Sequence, residues 1–269
     1  MLLGNMLGGK QETLVTLGAA VEMLHTATLV HDDLIDGSLL RRGTPTLNAR
    51  WSPAATVLTG DFLFARAAKL AAEADHLPLM KIFADTLAVI VNGELTQLFS
   101  ARGLIDRKNY YARIYAKTAS LFEMTALAAA MVSTEDESVR VTMKRYGYEI
   151  GMAFQVMDDV LDFTAEPELL GKPVGSDLLQ GLVTLPAIYY AETHPDDVDV
   201  KLLAEGGWGN QERMTRLVES IQQSNAVEQA TQEARQAIER ALEALKPFHP
   251  TVEYQSLVEL ARYIVDRRL

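Results

Sequence analysis

The chain has 269 residues, 36 acidic against 25 basic side chains, a net charge of −11, 48% apolar residues and no cysteine. Without cysteine there are no disulfides, thiolate metal sites or cysteine nucleophiles. The acidic balance, with no basic stripe, argues against nucleic acid as a partner. No signal peptide and no uncharged apolar run of membrane-span length is present, so a soluble, cytoplasmic protein is expected.

Apolar periodicity predicts helices over 11–36, 54–75, 79–100, 109–132, 137–163, 177–193, 210–222, 225–246 and 250–267. Alanine-rich segments such as ARAAKLAAEA and TALAAAMV favour close helix packing. Breaks fall at turn-forming stretches such as GSLLRRGTPTLNARWSP, FTAEPELLGKPVGS and GGWGN. No segment has sustained strand alternation. The expected fold class is all-α, a single-domain helix bundle spanning 1–269.

Two copies of Asp-Asp-x-x-Asp stand near helix ends. One is Asp32, Asp33 and Asp36 in HDDLID; the other is Asp158, Asp159 and Asp162 in MDDVLD. Residues four apart share a helix face, so Asp32 aligns with Asp36 and Asp158 with Asp162. Like charges so placed destabilise a helix, and the macrodipole disfavours them near its C-terminus. A hard divalent cation removes both penalties. Mg²⁺ takes one or two carboxylates together with phosphate oxygens and water. Two such clusters suggest two walls of one cavity holding a polyphosphate through several Mg²⁺ ions.

VEMLHTATLVHDDLIDGSLLRRGTPTLN and GMAFQVMDDVLDFTAEPELLGKPVGSDLLQG resemble the two aspartate-rich regions of all-trans isoprenyl (polyprenyl) diphosphate synthases. TGDFLFARA, GELTQL and YAKTASLF resemble further segments of that family, in its order. The resemblance implies an isoprenoid-synthase bundle around a prenyl and diphosphate cavity, usually in a homodimer. It implies head-to-tail condensation of isopentenyl diphosphate with an allylic diphosphate, using Mg²⁺ (about three ions once diphosphate is bound). By resemblance Asp32, Asp36 and Asp158 bind the metal, with Asp33, Asp159 and Asp162 acting through water or supporting contacts. Arg41, Lys117 and Lys172 add positive charge at the leaving group. His25 and Arg42 match positions that contact isopentenyl diphosphate. Thr118 and Gln155 match positions whose dipoles stabilise the carbocation, and Phe154 packs beside the prenyl tail.

Ala27 and Thr28 lie about 5.4 Å, one turn, before the first motif. Their small size leaves room for a medium- or long-chain product, with Met124, Leu127 and Met131 expected deeper. Two departures stand out. The family's N-terminal helix and GGKR-x-RP segment have no counterpart: Gly8-Gly9-Lys10-Gln11 is too close to Asp32. Weak binding of isopentenyl diphosphate, low activity and exposed apolar surface near Leu2, Leu3 and Leu7 are expected from that. Leu182 stands where many members carry lysine.

The alternatives are a shorter-chain geranylgeranyl or farnesyl synthase, a class I terpene cyclase, and a non-catalytic regulatory subunit of a heteromeric synthase. The second DDxxD disfavours the cyclase, and the presence of both clusters disfavours the subunit. An apolar product is consistent with transient membrane contact.

Overall fold

The structure is a computed structural model that describes residues 1–99, 103, 105–164 and 173–267. Its contacts divide the chain into two compact units, Met1–Asp85 with Leu127–Arg140, and Thr86–Ala126 with Val141–Leu269. The boundaries fall inside three helices, α5 (Leu77–Phe99), α7 (Ser120–Met131) and α8 (Glu137–Thr164).

The first unit is built on α2 (Gln11–Ile35) packed along α4 (Pro53–Ala72). Leu14, Leu17, Ala20, Leu24 and Ala27 form the buried stripe of α2, and Thr56, Gly60, Ala67 and Ala71 that of α4. Small residues on both stripes let the helix axes approach. Ser52 caps α4 by accepting from the Ala55 amide, and Pro53 supplies a helix-ready φ in the first turn. A short helix, α1 (Leu2–Met6), precedes α2. Between α2 and α4 lie a two-residue hairpin, β1 (Leu40–Arg41) with β2 (Thr44–Pro45), and α3 (Leu47–Arg50). The strands pair antiparallel, with Arg41 opposite Thr44. Arg42 and Gly43, between them, have φ of 51° and 75°, the all-positive pattern of the hairpin turn that matches strand twist.

The second unit carries α6 (Arg107–Ile114), the later part of α8, and a C-terminal set. That set comprises α9 (Ser176–Leu179), α10 (Leu185–Thr193), α11 (Val198–Ala204), α12 (Gln211–Gln223), α13 (Ala226–Leu245) and α14 (Val252–Asp266). The buried stripe of α13 runs through Ala230, Ala234, Ala237, Ala241 and Leu245. Glu233, half-buried on α13, accepts from Tyr111 of α6 and, at 2.6 Å, from Tyr189 of α10. Arg107 stacks on Tyr189 at 4.4 Å and pairs with Glu192.

Most predicted helices are present within two or three residues of their expected ends. Two are interrupted. The helix expected over 109–132 contains a π-helical turn, Tyr115–Ala119, between α6 and α7. The one expected over 177–193 breaks between α9 and α10, where Gly181 takes φ of 78° and Pro186 stands in the first turn of α10. The short helices α1, α3 and α11 were beyond the reach of periodicity. By length and composition α2 and α5 can each span a membrane. Both carry charges within the helix, Glu22 in α2 and Lys81, Asp85 and Glu94 in α5.

Candidate active site

In the first unit, α2 ends at the first acidic motif. Asp33 is 7% exposed and accepts from Arg41 Nε at 2.8 Å. The Ser38 amide closes on the Asp33 carbonyl at 2.9 Å. Arg41 is thus placed by its strand partner and by Asp33 together. Its neighbour Arg42 is exposed in a left-handed conformation that a non-glycine residue adopts at a cost. Asp32 is half-buried and Asp36, the C-cap residue, exposed.

His25 is exposed, and Thr28, half-buried, donates to its carbonyl oxygen at 2.7 Å. Ala27 has no accessible surface and belongs to the core stripe. The buried line is 14-17-20-24-27, one step round from a line through Thr28 and Asp32. His31 Nε2 lies 3.1 Å from the Val57 carbonyl oxygen, with its ring against Phe64.

In the second unit the π turn and α8 meet closely. A Cβ on Gly151 would stand 2.5 Å from Ala119 Cα, so only glycine admits this approach. Across it Thr118 Oγ1 donates to Gln155 Oε1 at 2.6 Å. The Gln155 amide then donates to Asp159 Oδ1 at 3.0 Å, and Tyr110 donates to Asp159 Oδ2 at 2.8 Å. π turns displace one residue from the helical register and often occur at functional positions. This one carries both Lys117 and Thr118. Lys117 Nζ pairs with Glu94 at 3.3 Å. Gly93 permits that pairing, because a Cβ there would lie 2.5 Å from Ala116 Cβ.

Within the second motif the carboxylates part company. Asp158 has a half-exposed side chain and pairs with Arg267, just past α14. Asp159 is buried beneath it. Burial first, and then the charge of Asp177, push its carboxyl up to about 7, against the hydrogen bonds from Gln155 and Tyr110 and the charge of Arg113. Burial, and next the Asp159 charge, raise the Tyr110 phenol well above its ordinary value. Burial lowers the Arg113 guanidinium, with Asp159 opposing. Asp162, 3% exposed, accepts from Ser176 Oγ at 2.9 Å and from the Asp177 amide at 3.2 Å. It ties the start of α9 to the end of α8. Phe154, half-buried, packs against Phe122 at 5.5 Å and under the Arg267 guanidinium at 4.3 Å.

Lys172 lies outside the described residues. Among those described, no three His, Cys, Asp or Glu side chains are grouped to hold a metal ion by themselves. Asp33 accepts from Arg41 through Oδ1, and Asp159 and Asp162 each accept from protein donors through both oxygens, which orients these carboxylates. The donor chemistry still suits Mg²⁺ or Ca²⁺. Both prefer carboxylate oxygen, and Mg²⁺ needs only one or two carboxylates when phosphate completes its shell. Tyr110, Arg113, Ser176 and Arg267 were not found from sequence. Tyr110 lies about two turns before Lys117, in the helix that leads into the π turn, which is a signal of position; Arg267 carries none.

An all-helical chain with two DDxxD motifs, one of them beside a Lys-Thr π turn, defines a class of enzymes acting on isoprenyl diphosphates. The family model "Polyprenyl synthetase" matches residues 1–243. An all-trans-nonaprenyl-diphosphate synthase (geranyl-diphosphate specific) of Rhodobacter capsulatus is 39% identical over 255 residues, covering 93% of this chain and 77% of that protein. An octaprenyl diphosphate synthase of Haemophilus influenzae is 36% identical, covering 99% and 82%. The crystal structure of a polyprenyl synthase from Caulobacter crescentus complexed with calcium and isoprenyl diphosphate superposes with a TM-score of 0.89 at 35% identity, covering 100% of this chain and 83% of that one. The chain belongs to the polyprenyl synthetase family and is a prenyltransferase of the all-α isoprenoid synthase fold.

Proposed function

We propose that this prenyltransferase uses Mg²⁺ to condense isopentenyl diphosphate with an allylic diphosphate, head to tail, and builds a medium- or long-chain all-trans polyprenyl diphosphate. The observation that carries the reading is the line Thr118–Gln155–Asp159 beside Asp158. Gln155, held between the Thr118 hydroxyl of the π turn and Asp159, stands on the same helix as the half-exposed Asp158 carboxylate. That is what ionisation of an allylic diphosphate asks for: metal-held leaving group on one side, fixed dipoles for the cation on the other.

Asp32, Asp36 and Asp158 would hold the metal, which supplies charge neutralisation of the departing diphosphate. Asp33, Asp159 and Asp162 support them. Asp33 fixes Arg41, Asp159 fixes Gln155, and Asp162 fixes the end of α8. Arg41, Lys117 and Lys172 add positive charge at the leaving diphosphate, and His25 and Arg42 meet isopentenyl diphosphate. Thr118 and Gln155 present oxygens to the allylic cation. The isopentenyl double bond attacks that cation, and the released diphosphate takes the proton lost from the new intermediate. Phe154 packs beside the prenyl tail.

Small residues at Ala27 and Thr28, and relatives named for nonaprenyl and octaprenyl products, support a long product. Leu58 and Phe62 on α4 are 68% and 63% exposed, and Val91, Leu95 and Leu98 form an exposed stripe on α5. Exposed apolar surface on each of these helices supports a homodimer. The same surface and an apolar product are compatible with brief membrane contact by a cytoplasmic enzyme. We read residues 1–269 as one catalytic domain.

The test is to incubate the purified chain and Mg²⁺ with farnesyl or geranyl diphosphate, with and without isopentenyl diphosphate. Elongated polyprenyl diphosphate only when both are present is the expected result. Hydrocarbon from the allylic substrate alone overturns the reading in favour of a cyclase.

A further inference from the structure

Arg267 sits just past α14 with its guanidinium turned back onto α8. Its Nη2 donates both to Asp158 Oδ1 and, at 3.0 Å, to the Phe154 carbonyl oxygen. The guanidinium carbon lies 4.3 Å over the Phe154 ring. The Arg267 side chain is 13% exposed, against 42% for Asp158. Its Nε is buried with no hydrogen-bond partner.

A guanidinium offers five N–H donors in a fixed fork. Here one nitrogen serves two acceptors while Nε meets none. Charge attraction and ring stacking hold the group, and the unmet buried donor weighs against it. A contact balanced in this way exchanges readily for a better one. A divalent cation at Asp158 is such a competitor, because it wants the same carboxylate and carries twice the charge.

We infer that Arg267 is a latch: it occupies Asp158 and covers Phe154 in the metal-free protein, and withdraws when a divalent cation takes the carboxylate. This rests on the reading of Asp158 as a cation ligand under Proposed function. One side chain then couples two events. Cation binding releases the guanidinium, and release uncovers the face of Phe154 for an apolar tail. By linkage, whatever fills the space over Phe154 strengthens cation binding in turn. A plain structural staple between α14 and α8 has no such effect on cation affinity.

The experiment measures Mn²⁺ dissociation constants of the full chain without diphosphate, by paramagnetic resonance of free Mn²⁺. The proteins are wild type, Arg267→Gln, Arg267→Lys and Asp158→Asn, each checked for cooperative thermal unfolding. The latch predicts Mn²⁺ binding about three- to tenfold tighter in Arg267→Gln, since a competing bound state is removed. Arg267→Lys, which keeps the charge and loses the shared donor, falls between and carries the test should Arg267→Gln fail to fold. Weaker binding in Asp158→Asn with no tightening in either Arg267 variant overturns the latch and leaves a staple. Unchanged binding in Asp158→Asn overturns the ligand assignment itself, and the latch with it.

Discussion

Thr118 and Gln155, 37 residues apart, share a 2.6 Å hydrogen bond in which the threonine hydroxyl donates to the amide oxygen. Because the hydroxyl proton is spent on Gln155, the remaining lone pairs of Thr118 point elsewhere as acceptors, the polarity a carbocation requires. Gln155 is fixed in turn by Asp159. The two residues should therefore act as a unit. Thr118→Val and Gln155→Leu are each expected to lower kcat by about 10- to 100-fold (~1.4–2.8 kcal/mol) with little change in KM for isopentenyl diphosphate. The double variant should cost little more than the worse single one. Fully multiplicative losses in steady-state kinetics would mean that the bond has no functional role.

Asp159 gives the metal-free protein a pH-dependent stability. Its carboxyl titrates near 7 when folded, against 3.8 ordinarily, chiefly through burial. Between those values the folded state holds the extra proton, so the Asp159 contribution to stability is fully present below about 4 and is lost as pH rises through 7. Asp159→Asn removes the titration. Melting temperatures with chelator at pH 5 and pH 8 should differ more in wild type than in the variant. An equal difference in both proteins contradicts the assignment.

Gly151→Ala brings a methyl within 2.5 Å of the Ala119 backbone. We expect a loss of about 1–3 kcal/mol of unfolding free energy from overpacking, measured by denaturant titration. The π turn must also shift, so kcat should fall even where the protein remains folded. A folded Gly151→Ala variant with wild-type kcat would show that Thr118 does not depend on this approach.

The helical architecture was legible in the sequence because amphipathic segments such as α12 and α13 declare their period, and because Pro53 and Ser52 mark a start. The site was legible in part. Acidic spacing identified the two motifs, and the resemblance supplied Lys117, Thr118 and Gln155. What was hidden is non-local. Nothing in YAKTA reports a π turn, since the change of register is imposed by packing of Ala119 on Gly151. Nothing near Asp158 foretells Arg267, 109 residues later.

The burial of Ala27 sharpens the chain-length prediction. Ala27→Tyr enters a position with no accessible surface and should cost about 1–3 kcal/mol as well as shorten the product. Thr28→Tyr enters a half-buried position and should shorten the product at lower cost. Thin-layer separation of dephosphorylated products reads both. Unchanged length in a folded Thr28→Tyr variant removes the tail from this face of α2.

The central claim is that two aspartate motifs, remote in sequence, hold one metal-bound diphosphate. Calorimetric titration of a non-ionising thiolo analogue of farnesyl diphosphate, with Mg²⁺ present, into wild type, Asp32→Asn and Asp158→Asn tests it most directly. The account predicts that either substitution weakens binding by at least about tenfold, or ~1.4 kcal/mol, while wild type binds one analogue per chain. Undiminished affinity in either variant, or two independent analogue sites per chain each sensitive to one motif, would contradict it.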